Sequence, residues 1–118
     1  MPFKDILKDL SMSAGAAGAI IIDHDGEVVA SWASSPEVNI DLIGIHHEII
    51  LDIARDAAAS LDLSGVKRLA ITTDKARLAI STIKEGYCLV ICLGRERPIG
   101  KALYESEKAI ERIEEEMG

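Results

Sequence analysis

Gly18-Ala19-Ile20-Ile21-Ile22-Asp23-His24-Asp25-Gly26-Glu27-Val28-Val29-Ala30-Ser31-Trp32-Ala33 is the stretch whose reading decides the fold. The apolar run Ala19 to Ile22 is broken by Asp23-His24-Asp25-Gly26, and a second run begins at Val28. Asp-Gly between β-formers is a strong hairpin signal. Glycine enters positive φ without steric cost, and aspartate tolerates it. The spacing predicts two antiparallel strands. The first is apolar at consecutive positions, so both of its faces should be covered. That cover calls for helices on either side of a sheet, and the flanking sequence supplies them.

Upstream, residues 2–11 read as a short helix. Pro2 suits its first turn, and Phe3, Ile6, Leu7 and Leu10 form one apolar stripe. Ser11 to Gly18 is small and glycine-rich, and is expected to end it. Downstream, Ser34-Ser35-Pro36-Glu37 closes the second strand, since proline cannot donate to a ladder. A long helix is predicted from about Asn39, a suitable N-cap, to Leu61. It is apolar on two sides. Ile40, Ile43, His47, Ile50, Leu51, Ala54, Ala57, Ala58 and Leu61 make a broad stripe, and Leu42, Ile45, Ile49 and Ile53 make a narrower one on the opposite face. One stripe can lie on the sheet. The other, left in water, would forgo ~1.5–3 kcal/mol per side chain. A second copy of the chain is the economical cover, because two-fold dimers are the commonest oligomers. A loop or the N-terminal helix is the competing one.

Three further strands are predicted at residues 66–73, 76–83 and 87–93. The first two alternate, as half-covered strands do. Tyr87-Cys88-Leu89-Val90-Ile91-Cys92-Leu93 is apolar throughout and should be central. A last helix spans about Pro98 to Met117, with Ile99, Ala102, Leu103, Ser106, Ile110, Ile113 and Met117 on one stripe. Glu114, Glu115 and Glu116 stand in its last turn, where the macrodipole disfavours negative charge. That end is expected to fray unless a basic partner holds it.

The 118 residues suit one domain, residues 1–118, with one core. With 48% hydrophobic and 28% charged residues the composition is globular. No apolar run approaches the ~20 residues of a membrane span, and the N-terminus lacks a signal-peptide pattern. A cytoplasmic protein is expected. A net charge of −7 and few aromatics argue against nucleic acid as a partner. The charge is uneven, however. Residues 67–101 hold eight basic and three acidic residues, against five and 17 in the remainder. Such a surplus reads either as ordinary edge-strand charge or as a basic surface for an acidic partner.

The order helix, strand, strand, long helix, three strands, helix resembles the roadblock family of dynein light-chain type. The residues that carry the resemblance are the hairpin Ile20 to Ser31, with its apolar–Asp–x–Asp–Gly–x–apolar–Ala–Ser pattern, the long helix after a polar stretch, and Gly86-Tyr87 before an all-apolar strand. It covers essentially the whole chain. The resemblance implies an α+β sandwich: a five-stranded antiparallel sheet in the order 2-1-5-4-3, with the long helix on one face and both terminal helices on the other. It also implies a homodimer. The long helices would meet through Leu42, Ile45, Ile49 and Ile53, and the third strands would pair through Arg68, Leu69, Ala70, Ile71, Thr72 and Thr73. Family members are non-enzymatic platforms or regulators of small Ras-like GTPases, or light chains of motor complexes.

Catalytic and cofactor motifs are weak throughout. Gly100-Lys101 precedes alanine, and no phosphate-binding glycine motif exists. Asp23-x-Asp25-Gly26 opens like a calcium loop but has Ser34 where a bidentate glutamate belongs. Adjacent His46 and His47 point ~100° apart on a helix and do not converge on a metal. Cys88 and Cys92 would lie ~13 Å apart in one strand, beyond disulfide or shared-zinc reach. No catalytic residue, cofactor or metal site is expected. Two residues remain as candidates for a partner surface. His46, if it stands at an interface, would make association pH-sensitive. Trp32 either caps the core beneath a terminal helix or anchors a partner. The functional expectation is a homodimeric adaptor that binds and regulates a Ras-like GTPase. A ligand-sensing module of PAS, GAF or profilin-like type, or a structural subunit of a larger complex, is the alternative.

Overall fold

The computed structural model describes residues 3–25, 27–35, 67–72, 74 and 76–118. Helix α1 spans Phe3–Ala14, strands β1 and β2 span Ala16–Ile22 and Val28–Ala33, and β3, β4 and β5 span Arg68–Thr72, Ala76–Thr82 and Cys88–Gly94. Helix α2 closes the described chain at Ile99–Met117. The expected long helix at 39–61 lies outside the described residues. So do Leu42, Ile45, His46, His47, Ile49, Ile53, Gly26, Thr73 and Lys75.

The five strands form one antiparallel sheet in the order β2-β1-β5-β4-β3. The all-apolar segment is central, as its composition predicts: β5 lies between β1 and β4, and Cys88 through Leu93 are buried. β1 is its neighbour, with Gly18 to Ile22 buried. Alternate residues feed two apolar layers. Ala19, Ile21, Leu89, Ile91 and Leu93 cluster with Ile6, Leu7 and Leu10 of α1 and with Ala102, Ala109 and Ile113 of α2. Ile20, Ile22, Ile80, Val90 and Cys92 form a second buried cluster from the opposite set of positions. Both described helices thus share one layer with the sheet.

Three element ends depart from the sequence reading, two in position and one in what holds it. α1 continues one turn past residue 11. Ser11 and Ala14 are buried and extend the stripe of Leu7 and Leu10, and the small residues fit where the helix meets the sheet. It stops at Gly15, whose φ of +68° supplies the left-handed C-terminal cap. β1 accordingly starts at Ala16, with Ala16 opposite Leu93 and Gly18 opposite Ala33 and Cys92. The acidic end of α2 is held from within the chain. Glu114 accepts the Lys84 backbone N–H at 3.1 Å, and Lys84 Nζ donates to the Gly118 carbonyl at 2.9 Å. The helix runs regularly to Met117.

Candidate interaction surface

Among the described residues, the two outer strands of the sheet and the turns at their ends offer backbone and charged groups to a partner. β3 is the outer strand on one side. Its residues alternate: Leu69 and Ile71 are half-buried, while Arg68, Ala70 and Thr72 are exposed. Thr82 donates its N–H to the Lys67 carbonyl at 2.9 Å. By the two-residue alternation of an antiparallel ladder, Leu69 and Ile71 turn their backbone groups toward β4. Arg68, Ala70 and Thr72 turn theirs outward. Arg68 also reaches across to α2, where its guanidinium pairs with Glu107. Beside it, a cavity of about 410 Å³ opens between the start of β3 and α2, lined among others by Lys67, Lys84, Ile110 and Glu114. Of the interface residues expected on this strand, Arg68 to Thr72 form one continuous outer edge.

The basic surplus of residues 67–101 does not make one patch. Lys67, Arg68 and Lys84 stand where α2 ends. Arg77, Arg95 and Arg97 gather at the opposite end of the sheet. Arg77 Nη1 donates to the Arg97 carbonyl at 3.1 Å, and Arg95 Nη1 to that of Asp74 at 3.4 Å. A Cβ at Gly15 would come within 3.2 Å of Arg97 Nη1, so this guanidinium lies over the C-terminus of α1, where the macrodipole favours a cation. Arg77, Arg95 and Lys84 thus serve carbonyl groups of the chain's own backbone, a role that charge counting alone does not reveal.

At the β1–β2 turn, Asp23 Oδ1 accepts the N–H groups of Asp25 and Glu27, both at 2.9 Å. The aspartate that resembles a calcium ligand in sequence therefore closes a turn. His24 packs at 6.3 Å between ring centroids from Tyr87, and a Cβ on Gly86 would touch the His24 Cβ at 3.0 Å. Gly86 itself has φ +82°. The Gly86-Tyr87 pair read from the sequence is thus where the β4–β5 connection abuts the hairpin turn. Sequence spacing alone could not show that contact.

Trp32 is half-buried and packs on the cluster shared by α1, α2 and the sheet, which places it at the margin of the core. Cys88 and Cys92 are buried thiols of β5, and burial pushes the Cys92 thiol above its ordinary value. Among the described residues no group of three or more His, Cys, Asp or Glu converges on a metal site. No described helix is long and apolar enough to cross a membrane.

A Roadblock/LC7 domain model matches residues 2–92. The chain belongs to the Roadblock/LC7 family. Solved structures agree with the fold. The Roadblock/LC7 domain from Streptomyces avermitilis superposes with a TM-score of 0.85 at 20% identity, covering 97% of this chain and 96% of that one. Myxococcus xanthus MglB gives 0.82 at 13% identity, covering 94% and 90%. The gliding protein MglB from Thermus thermophilus gives 0.82 at 19% identity, covering 93% and 84%. At these identities the likeness is one of fold. No curated protein sequence matches the chain.

Proposed function

We propose that this Roadblock/LC7 chain is a non-enzymatic, homodimeric adaptor that binds and regulates a small Ras-like GTPase in the cytoplasm. The family match across residues 2–92 carries the reading. The fold shared with two MglB proteins supports it. The filled sheet adds to it: both layers are packed with aliphatic side chains, which favours a platform over a ligand-sensing module. In the dimer, β3 of one protomer pairs with β3 of its partner through the outward groups of Arg68, Ala70 and Thr72. The second apolar stripe, Leu42, Ile45, Ile49 and Ile53, meets its own copy. The role of that stripe rests on sequence spacing.

Light scattering on the wild type and on Ile49→Asp tests the dimer. An unpaired carboxylate in an apolar interface costs several kcal/mol. The wild type should have twice the protomer mass and the variant one protomer's mass with its helical signal retained. A monomeric wild type would refute the dimer. Capture of a GTPase from lysate that changes between GDP and a non-hydrolysable GTP analogue tests the partner. GTP turnover by the purified chain alone would overturn the adaptor reading.

A further inference from the structure

β2 is the sheet's other outer strand, and beyond a bulge at its start it lacks the usual defences of an edge. Val28 to Ala33 contain no charge and no proline, the residues that block unwanted pairing at natural edges. Val28 and Val29 are 46% and 40% exposed. One irregularity bends the strand: Ile21 lies opposite Ala30 and Ile22 opposite Val28, so Val29 is an extra residue. From Ala30 to Ala33 the register is regular. Ser34 donates its N–H to the Ala17 carbonyl at 2.8 Å. By alternation Ala30 and Trp32 turn their backbone groups toward β1. Ser31 and Ala33 turn theirs away from the sheet. Among the described residues no strand pairs on that side.

The edge also has an electrostatic direction. Its Val28 end carries exposed Asp25 and Glu27. Beside them stands the His24 imidazole, 3.5 Å from the Asp25 carboxylate. The Ala33 end continues into Ser34 and Ser35, which carry no charge. A strand laid antiparallel to β2 brings its C-terminal end against Glu27.

We infer that β2 is a docking edge for an extended segment of a partner protein. The segment adds as a sixth, antiparallel strand on the N–H and C=O groups of Ser31 and Ala33, with lysine or arginine at its C-terminal end facing Asp25 and Glu27. This mode of recognition takes its affinity from main-chain hydrogen bonds and its selectivity from the flanking side chains. β2 and β3 bound opposite sides of the sheet, so the docking edge does not depend on the GTPase reading and does not compete with β3 pairing.

Titration calorimetry on the whole chain tests this with two capped octapeptides. One alternates threonine and valine and ends in two lysines; the other starts with the two lysines. The first should bind at least tenfold more tightly. Ser31→Pro removes an outward N–H and no bond to β1, and Glu27→Lys reverses the charge at the acidic end. Each should weaken binding at least tenfold with the melting curve unchanged. No binding, equal binding of the two peptides, or unchanged binding to a folded Ser31→Pro would overturn the inference. Should Ser31→Pro not fold, amide exchange in the wild type decides. Ser31 and Ala33 should slow when the first peptide is added, and unchanged rates would overturn it. Self-association of the free chain that Ser31→Pro abolishes would assign the edge to a second copy and equally overturn it.

Discussion

The two outer strands of the sheet are built to different specifications. β3 alternates half-buried Leu69 and Ile71 with exposed Arg68, Ala70 and Thr72, and Arg68 ties it to α2 through Glu107. β2 carries no charge, exposes two valines and is bent only at Val29. A charged, alternating edge is selective about what pairs with it, because register shifts would bring like charges together or move Leu69 and Ile71 to the wrong face. An uncharged edge is permissive along its length and takes its selectivity from its ends, here Asp25 and Glu27. One sheet thus offers one edge suited to a fixed partner such as its own copy and another suited to a variable segment.

Replacing an outward backbone donor on each edge separates these roles, and on β3 the effect should be largest. Ala70→Pro removes an N–H that points away from β4, so the fold keeps its own ladder. In a two-fold dimer the loss is felt twice, once in each protomer. Each unsatisfied partner costs ~1–3 kcal/mol, so about 2–6 kcal/mol of association is at stake. Light scattering should show a folded monomer. A dimer that survives Ala70→Pro would move the interface away from β3 and break the contrast between the edges.

A smaller effect is expected where the β2 end is braced. Gly86 has φ +82°, and a Cβ there would meet the His24 Cβ at 3.0 Å. Gly86→Ala introduces both left-handed strain and a contact that His24 must yield to. The strain alone costs ~1–3 kcal/mol. Urea unfolding should show that loss with an unchanged slope. The displaced His24 would carry Asp25 with it, so affinity for the lysine-ended octapeptide should change in Gly86→Ala while dimer mass does not. Equal changes in both would mean that the two edges are coupled through the sheet.

The sheet was largely legible in the sequence, because consecutive apolar residues at 19–22 and 87–93 and the Asp-Gly turn have few other solutions. Strand boundaries fell within about three residues of the observed ones. What escaped notice was carried by small or distant groups. Ser11 and Ala14 continue the apolar stripe of α1 by size rather than hydropathy, so a hydrophobic pattern ends there and the helix does not. The acidic end of α2 looked unstable because its counterpart, Lys84, is 30 residues from Glu114 in the chain. The basic surplus left open either ordinary edge charge or one basic surface; its members sit at opposite ends of the sheet and several are engaged by backbone carbonyls. The strand order itself came from a likeness to the roadblock pattern, since hydrophobic periodicity specifies strands and not their neighbours.

The weakest expected effect concerns the charge that most visibly distinguishes the edges. The Arg68 and Glu107 side chains are 40% and 50% exposed, and pairs in such settings contribute only ~0–1 kcal/mol because water and salt screen them. Arg68→Ala should therefore leave the melting temperature almost unchanged. If the pair's service is to selectivity, the variant should be dimeric on its own but let peptide displace its copy from β3. β3 stripped of its cation should then accept the threonine–valine octapeptide, which the wild type takes only at β2. Calorimetry would show this as a rise from one site per protomer toward two, against competition from the dimer. A stoichiometry that stays at one would mean that backbone pairing in the dimer, and not the arginine, guards this edge.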